Sequence, residues 1–145
     1  LLISDSWNGR VRRVTSDGVI RTVVANVGSA ALGIDRATGD IVFGSAGIRR
    51  ISASGVITTL VLPGTAIPGV TNLGAPNGIA VAPDGTVYFS YSNWVFRRST
   101  SGAITVFAGD GQGRSAGDNG PAVQASLFGP AGVAIDAAGS IYIAE

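Results

Sequence analysis

The sequence predicts an all-β fold of radially repeated four-stranded antiparallel units, and three observations carry that expectation. The first is a repeat: short apolar run, glycine-containing turn, apolar run, Arg-Arg, second turn, apolar run. It reads NGIAVAPDGTVYFSYSNWVFRRSTSGAITVFA from Asn77 to Ala108 and ALGIDRATGDIVFGSAGIRRISASGVITTL from Ala31 to Leu60. A third copy is divided between the two ends, as AGVAIDAAGSIYIAE at 131–145 and LLISDSWNGRVRRVTSDGVIRTVV at 1–24. Self-similarity at this period marks a repeat architecture. The second observation is that glycine falls at matched turn positions, where tight hairpins need a positive φ. The third is that no segment sustains the 3.6-residue apolar period of a helix.

Each repeat resolves into four strands rich in Val, Ile, Leu, Phe or Tyr. In the Asn77 copy they are about Gly78–Val81, Val87–Tyr91, Val95–Arg98 and Ile104–Ala108. Pro83-Asp84-Gly85, Ala37-Thr38-Gly39 and Ala137-Ala138-Gly139 turn the first strand into the second. Asp17-Gly18, Ser54-Gly55 and Ser101-Gly102 turn the third into the fourth. Hairpins impose antiparallel order, which a solenoid of parallel strands lacks, and four-strand periodicity goes beyond a plain sandwich. The expectation is therefore a β-propeller, with four-stranded units as blades. Residues 1–145 form one partial propeller: a partial blade at 1–24, blades at 31–60 and 77–108, and a partial blade at 131–145.

The ends of the second strands, Asp5, Ser45, Tyr91 and Glu145, are 40, 46 and 54 residues apart. The growth lies in the stretches joining a fourth strand to the next first strand, at 62–76 and 109–130. Strand alternation puts these stretches on the same face as the loops joining second to third strands. Insertions gathered on one face often mark a binding side.

Composition bounds the chemistry. The chain has 145 residues, 46% hydrophobic and 13% charged, enough for a buried core. Net charge is +1, so no bulk attraction to nucleic acid or anionic lipid is expected, and no apolar run is long enough to span a bilayer. Cys, His, Met and Lys are absent; all ten basic residues are Arg. The commonest general base, the thiolate and the Schiff-base amine are missing, and a non-catalytic chain is the expectation.

Certain stretches resemble the NHL-repeat family of β-propellers. They are GDNGPAVQASLFGPAGVAIDAAGSIYIAE at 117–145, DSWNGRVRRVTSDG at 5–18 and APNGIAVAPDGTVYFS at 75–90. They are similar to that family's Gly-Asp-Gly-Gly-Pro-Ala inter-blade loop, its Pro-x-Gly-[Ile/Val]-Ala-[Val/Ile]-Asp first strand and its Asp-x-x-Asn-x-Arg link. The full link survives only as Asp5, Asn8 and Arg10. The family includes protein-binding, RNA-binding and enzymatic members, so the resemblance speaks to fold more than activity. It implies six blades or more, of which this chain holds about three. With no initiator Met and an abrupt end at Glu145, a window of a longer polypeptide is expected; self-association through the incomplete blades is the alternative.

The candidate binding residues are Trp7, Arg10, Tyr91, Trp94, Asp110, Arg114 and Asp118. Trp7, Tyr91 and Trp94 occupy second-to-third-strand loops, where they could stack on a sugar, anchor a protein, or plug the seam between blades. Asp110, Asp118 and Asn119 lie in the longest loop, where the expected role of the Asp side chains is to cap turns. Calcium is conceivable there, with two carboxylates and an amide among glycines, although the spacing matches neither an EF-hand nor a glycine-rich β-helix calcium repeat and the expectation is no cofactor. GQGRSA at 111–116 fits a dinucleotide fingerprint formally, but no helix follows it. The doublets Arg12-Arg13, Arg49-Arg50 and Arg97-Arg98 put neighbouring guanidinium groups on opposite faces, which favours stems packed between blades over phosphate or RNA capture.

Asn77 opens a first strand where the other repeats have Ala30 and Ala131. PNGIAVAPDGTVYFS also resembles gluconolactonase-like propellers, in which an Asn at this kind of position helps hold a catalytic divalent metal. That resemblance implies metal-assisted lactone hydrolysis. No matching Glu or Asp opens another first strand, so a structural Asn before Gly is the reading taken, with no metal ligand assigned. The expected function is a scaffold that binds a protein or glycan through the face with the inter-blade loops. A metal-dependent lactonase and a subunit of a self-assembling ring or filament are the alternatives. Substituting Trp7 and Trp94 by Ala is expected to weaken capture with folding intact. By family analogy the protein is extracellular or at the cell surface.

Overall fold

The computed structural model describes residues 1–28 and 31–145, and they form four antiparallel sheets. The first is a three-stranded sheet of β1 (Leu2–Asp5), β2 (Arg10–Val14) and β3 (Ile20–Ala25). Two complete four-stranded sheets follow. One comprises β4 (Leu32–Ile34), β5 (Ile41–Ser45), β6 (Gly47–Ile51) and β7 (Ile57–Val61); the other comprises β8 (Gly78–Val81), β9 (Val87–Tyr91), β10 (Trp94–Arg98) and β11 (Ile104–Ala108). A two-stranded sheet, β12 (Gly132–Ile135) with β13 (Ile141–Ala144), closes the sequence. In each sheet the strands lie in chain order, each paired antiparallel with the next. We refer to the sheets as blades A to D.

The hairpins form for the reason the sequence suggested. Gly85 and Gly102 have φ of +84° and +95°, a region open to glycine without a Cβ clash. Short polar side chains then lock the turns. Asp84 accepts the Thr86 N–H at 2.9 Å, and in blade C's second hairpin Ser99 Oγ meets Ser101 Oγ at 2.8 Å.

Alternation along each strand sends successive side chains to the two faces of a blade, and in blade B both faces are covered. In β5, Ile41 and Phe43 join Val11, Val27 and Ile51 in the core between blades A and B, while Val42 joins Ile48, Val61, Ile79, Phe89 and Phe96 in the core between B and C. This explains why β5 reads as a continuous apolar run. The cross-strand pair Phe89 and Phe96 stacks with ring centroids 5.4 Å apart. The inner strands of neighbouring blades approach closely: a Cβ placed on Gly78 would stand 2.6 Å from the Ala131 carbonyl oxygen.

The arginine doublets divide between faces. Arg50 pairs with Asp35 at 3.7 Å and Asp40 at 3.9 Å, and Arg98 donates from Nε to the Leu60 carbonyl of the neighbouring blade at 3.1 Å. Partial burial and then the nearby Arg50 charge hold the Arg98 pKa below its ordinary value. Strand β10 begins at Trp94, one residue earlier than expected, because Trp94 pairs with Tyr91 across the turn.

Candidate functional site

The loops joining second to third strands and those joining one blade to the next share a face, which we call the loop face. The inter-blade stretch at 62–77 is fixed around buried Leu73 and Pro76, with an Ile67–Val70 bridge. The stretch at 109–131 contains a short 3-10 turn, Ala122–Gln124, and an Ala116–Ser126 bridge. Both combine backbone hydrogen bonds of their own with side chains from second strands and second-to-third-strand loops.

Trp94 fills the gap between the two stretches. A Cβ on Gly69 would lie 2.8 Å from its Cζ2, and one on Gly111 only 2.2 Å away. Its ring thus packs against both stretches, and replacing it by Ala is expected to disturb the loops. Tyr91, half-buried, donates its hydroxyl to the Asn72 carbonyl at 3.3 Å and is likewise committed to the 62–77 stretch.

Asp110 organises the longer loop. Its carboxylate accepts the Gln112 N–H at 2.8 Å and the Ser126 hydroxyl at 2.8 Å, and Arg114 Nε donates to the same Ser126 oxygen at 3.1 Å. The Gln112 bond above all, then the Ser126 bond and the Arg114 charge, hold Asp110 below the usual carboxylate range against the opposing effect of desolvation. Asp118 is exposed at the loop tip, separate from this cluster.

Two residues not singled out in the sequence complete the framework. Asn93 donates to the Gly111 carbonyl at 3.3 Å and accepts the Gly129 N–H at 3.2 Å, tying both ends of the loop to blade C. Glu145 accepts the Phe128 N–H at 2.7 Å and the Ser115 hydroxyl at 2.9 Å. The signal for Glu145 was present, since the repeat aligns it with Asp5, another carboxylate at the end of a second strand. Asn93 carried none, because blade B shortens the matching loop to Ser45-Ala46-Gly47 and offers no counterpart.

Among the described residues exposed on the loop face are Trp7, on the 3-10 turn Ser6–Asn8 and fully exposed, Arg10, Arg114, Leu62 and Phe128, the last two each 66% exposed. The Asp-x-x-Asn-x-Arg link is only partly as the family pattern implies. Asn8 donates to Asp5 at 2.8 Å, but the arginine near Asp5 is Arg12, at 3.9 Å, and Arg10 points a charged side chain to solvent.

Asn77 stands at the inner end of β8 on the loop face. Its Nδ2 donates to the Pro130 carbonyl at 3.4 Å, while the Ser90 hydroxyl donates to the Ala131 carbonyl at 3.4 Å, so both bind blade C to blade D. Its repeat counterpart Ala30 lies outside the described residues. No group of three His, Cys, Asp or Glu residues able to hold an ion occurs among the described residues. Asn77 offers a single side-chain oxygen, and a divalent metal of the gluconolactonase kind does not fit the described residues alone.

No protein-family model and no curated protein matches the chain. Solved structures do. A virginiamycin B lyase from Staphylococcus aureus superimposes with a TM-score of 0.60 at 22% identity, over 99% of this chain and 44% of the lyase. A gluconolactonase from Xanthomonas campestris gives 0.62 at 18% identity, over 99% of this chain and 65% of that protein. A chain in the nidogen/laminin complex gives 0.67 at 19% identity, over 94% and 49%. The chain is a partial β-propeller. It holds about three blades and spans less than half of the lyase it matches.

One expectation is overturned here. Non-catalysis was inferred from the missing residue types, yet the neighbours of this fold include a lyase and a gluconolactonase, which point to enzymatic propellers. A propeller works with residues from many blades, so the composition of three blades does not exclude catalysis by the whole.

Proposed function

We propose that this NHL-type propeller engages a protein or glycan partner through its loop face, with Trp7, Phe128 and Arg114 as contact residues. The observation that carries the reading is the division of labour on that face. Trp94, Tyr91, Asn93, Asp110 and Glu145 hold the loops in place, while Trp7 and Phe128 stand exposed among the described residues. A preordered loop face avoids part of the entropy cost of binding, and exposed aromatics are the usual anchors. An extracellular setting accords with this reading, as does the fold's presence in a nidogen/laminin complex.

The test is capture by the intact polypeptide containing residues 1–145, on an oligosaccharide panel and by cross-linking to protein partners. Trp7→Ala and Phe128→Ala should each weaken capture by about tenfold, the loss of one anchor. Capture unchanged by both substitutions would remove the reading.

In a second reading the bound ligand is a substrate, favoured by the two enzymes that share the fold. Hydrolysis of gluconolactone by the intact polypeptide, compared with Asn77→Ala, checks it. A rate equal to the spontaneous one would exclude that substrate.

A further inference from the structure

The face opposite the loop face carries the turns between first and second strands. Three of those turns meet at the C-terminal ends of β4, β8 and β12, around a cavity of ≈ 240 Å³ lined by Arg36, Val81, Pro83, Ile135, Asp136 and Ala137. Arg36, Pro83 and Ala137 are the same repeat position in successive blades, so blade B alone sets a cation there. Among the described residues no hydrogen bond or ion pair engages the Arg36 side chain; its neighbour Asp35 pairs with Arg50 instead. Asp136 on the far wall is committed to its own turn, accepting the Ala138 and Ser140 N–H groups at 2.9 Å each and the Tyr142 hydroxyl at 3.0 Å.

We propose that this cavity is a binding site for a small organic monocarboxylate with a compact apolar body. The unpaired guanidinium offers a planar fork matched to a carboxylate. Val81, Pro83, Ile135 and Ala137 supply apolar walls for the remainder. At about 30 Å³ per water in the liquid, the space equals about eight waters, enough for a short branched acid and below the range of drug-sized pockets. The Asp136 carboxylate opposes a second negative charge, which separates monocarboxylates from phosphate and dicarboxylates. The site lies on the other face from the proposed partner surface, and neither depends on the other.

The experiment is an NMR titration of the intact polypeptide with isovalerate, using isovaleramide and succinate as controls. Isovalerate should give saturable shifts at the amides of residues 35–37, 81–83 and 135–137, with weaker effects from both controls. Arg36→Gln should weaken isovalerate binding by about tenfold or more, as expected for loss of a charged hydrogen-bond donor, with thermal unfolding unchanged because Arg36 is exposed and unpaired. Isovaleramide binding as well as isovalerate, undiminished binding in Arg36→Gln, or no saturable shift at all would each overturn the proposal.

Discussion

Trp94 shows how one side chain decides whether a face is orderly. Its indole is flanked by Gly69 and Gly111, and Gly111 also has a φ of +83°, so any larger residue there meets both steric and backbone cost. Gly111→Ala should destabilise the protein by about 1–3 kcal/mol, read as a lower urea midpoint. In a Trp94→Ala background the same glycine substitution should cost markedly less, because the clashing ring is gone. Equal costs in both backgrounds would place the strain elsewhere. Sequence reasoning put Trp94 on the correct face but could not choose between anchor and plug. That choice depends on two glycines 25 residues before it and 17 after it, brought together only by folding. Trp7, in the matching loop of blade A, is exposed among the described residues.

At the level of the element, the hairpins were legible because their requirements are local. A glycine at a fixed offset and a Ser, Thr or Asp beside it define the turn, and the strands between turns followed to within one residue. The carboxylates in these turns make the fold sensitive to acid. Asp84 is held below the usual carboxylate range by the Thr86 N–H and hydroxyl, Asp136 by the Ser140 N–H with the Tyr142 hydroxyl, and Asp17 by the Thr15 hydroxyl. A depressed folded-state pKa means the unfolded chain takes up protons first as pH falls. The associated stability is present above about pH 4, the ordinary Asp value, and is lost as pH falls through the folded-state values. Urea midpoints should therefore decline below about pH 4, and Asp84→Asn with Asp136→Asn should flatten that decline; an unchanged acid limb would contradict the assignment. Packing between elements was less legible. Gly78 reads as an ordinary strand glycine, yet it admits the backbone of β12, and Gly78→Val should loosen blade D enough to raise protease cleavage within 131–145.

For the whole molecule, the repeat made the architecture readable while hiding the working face, since regular positions build blades and irregular ones build sites. The inter-blade stretches are legible from their length and, at 117–122, from a loop motif. Their internal bonds, Asn93 to Gly129 or Glu145 to Phe128, join residues 36 and 17 apart and have no sequence signature. Composition is a poor guide to catalysis for a related reason, because a propeller site draws residues from many blades. The most direct test of the central claim is hydrogen exchange on the intact polypeptide, with and without a captured partner. Added protection concentrated at residues 6–10, 62–77, 91–94 and 109–131 is the predicted result. Protection confined to the opposite turns at 35–40, 82–86 and 136–140 would contradict the loop face as the site of partner binding.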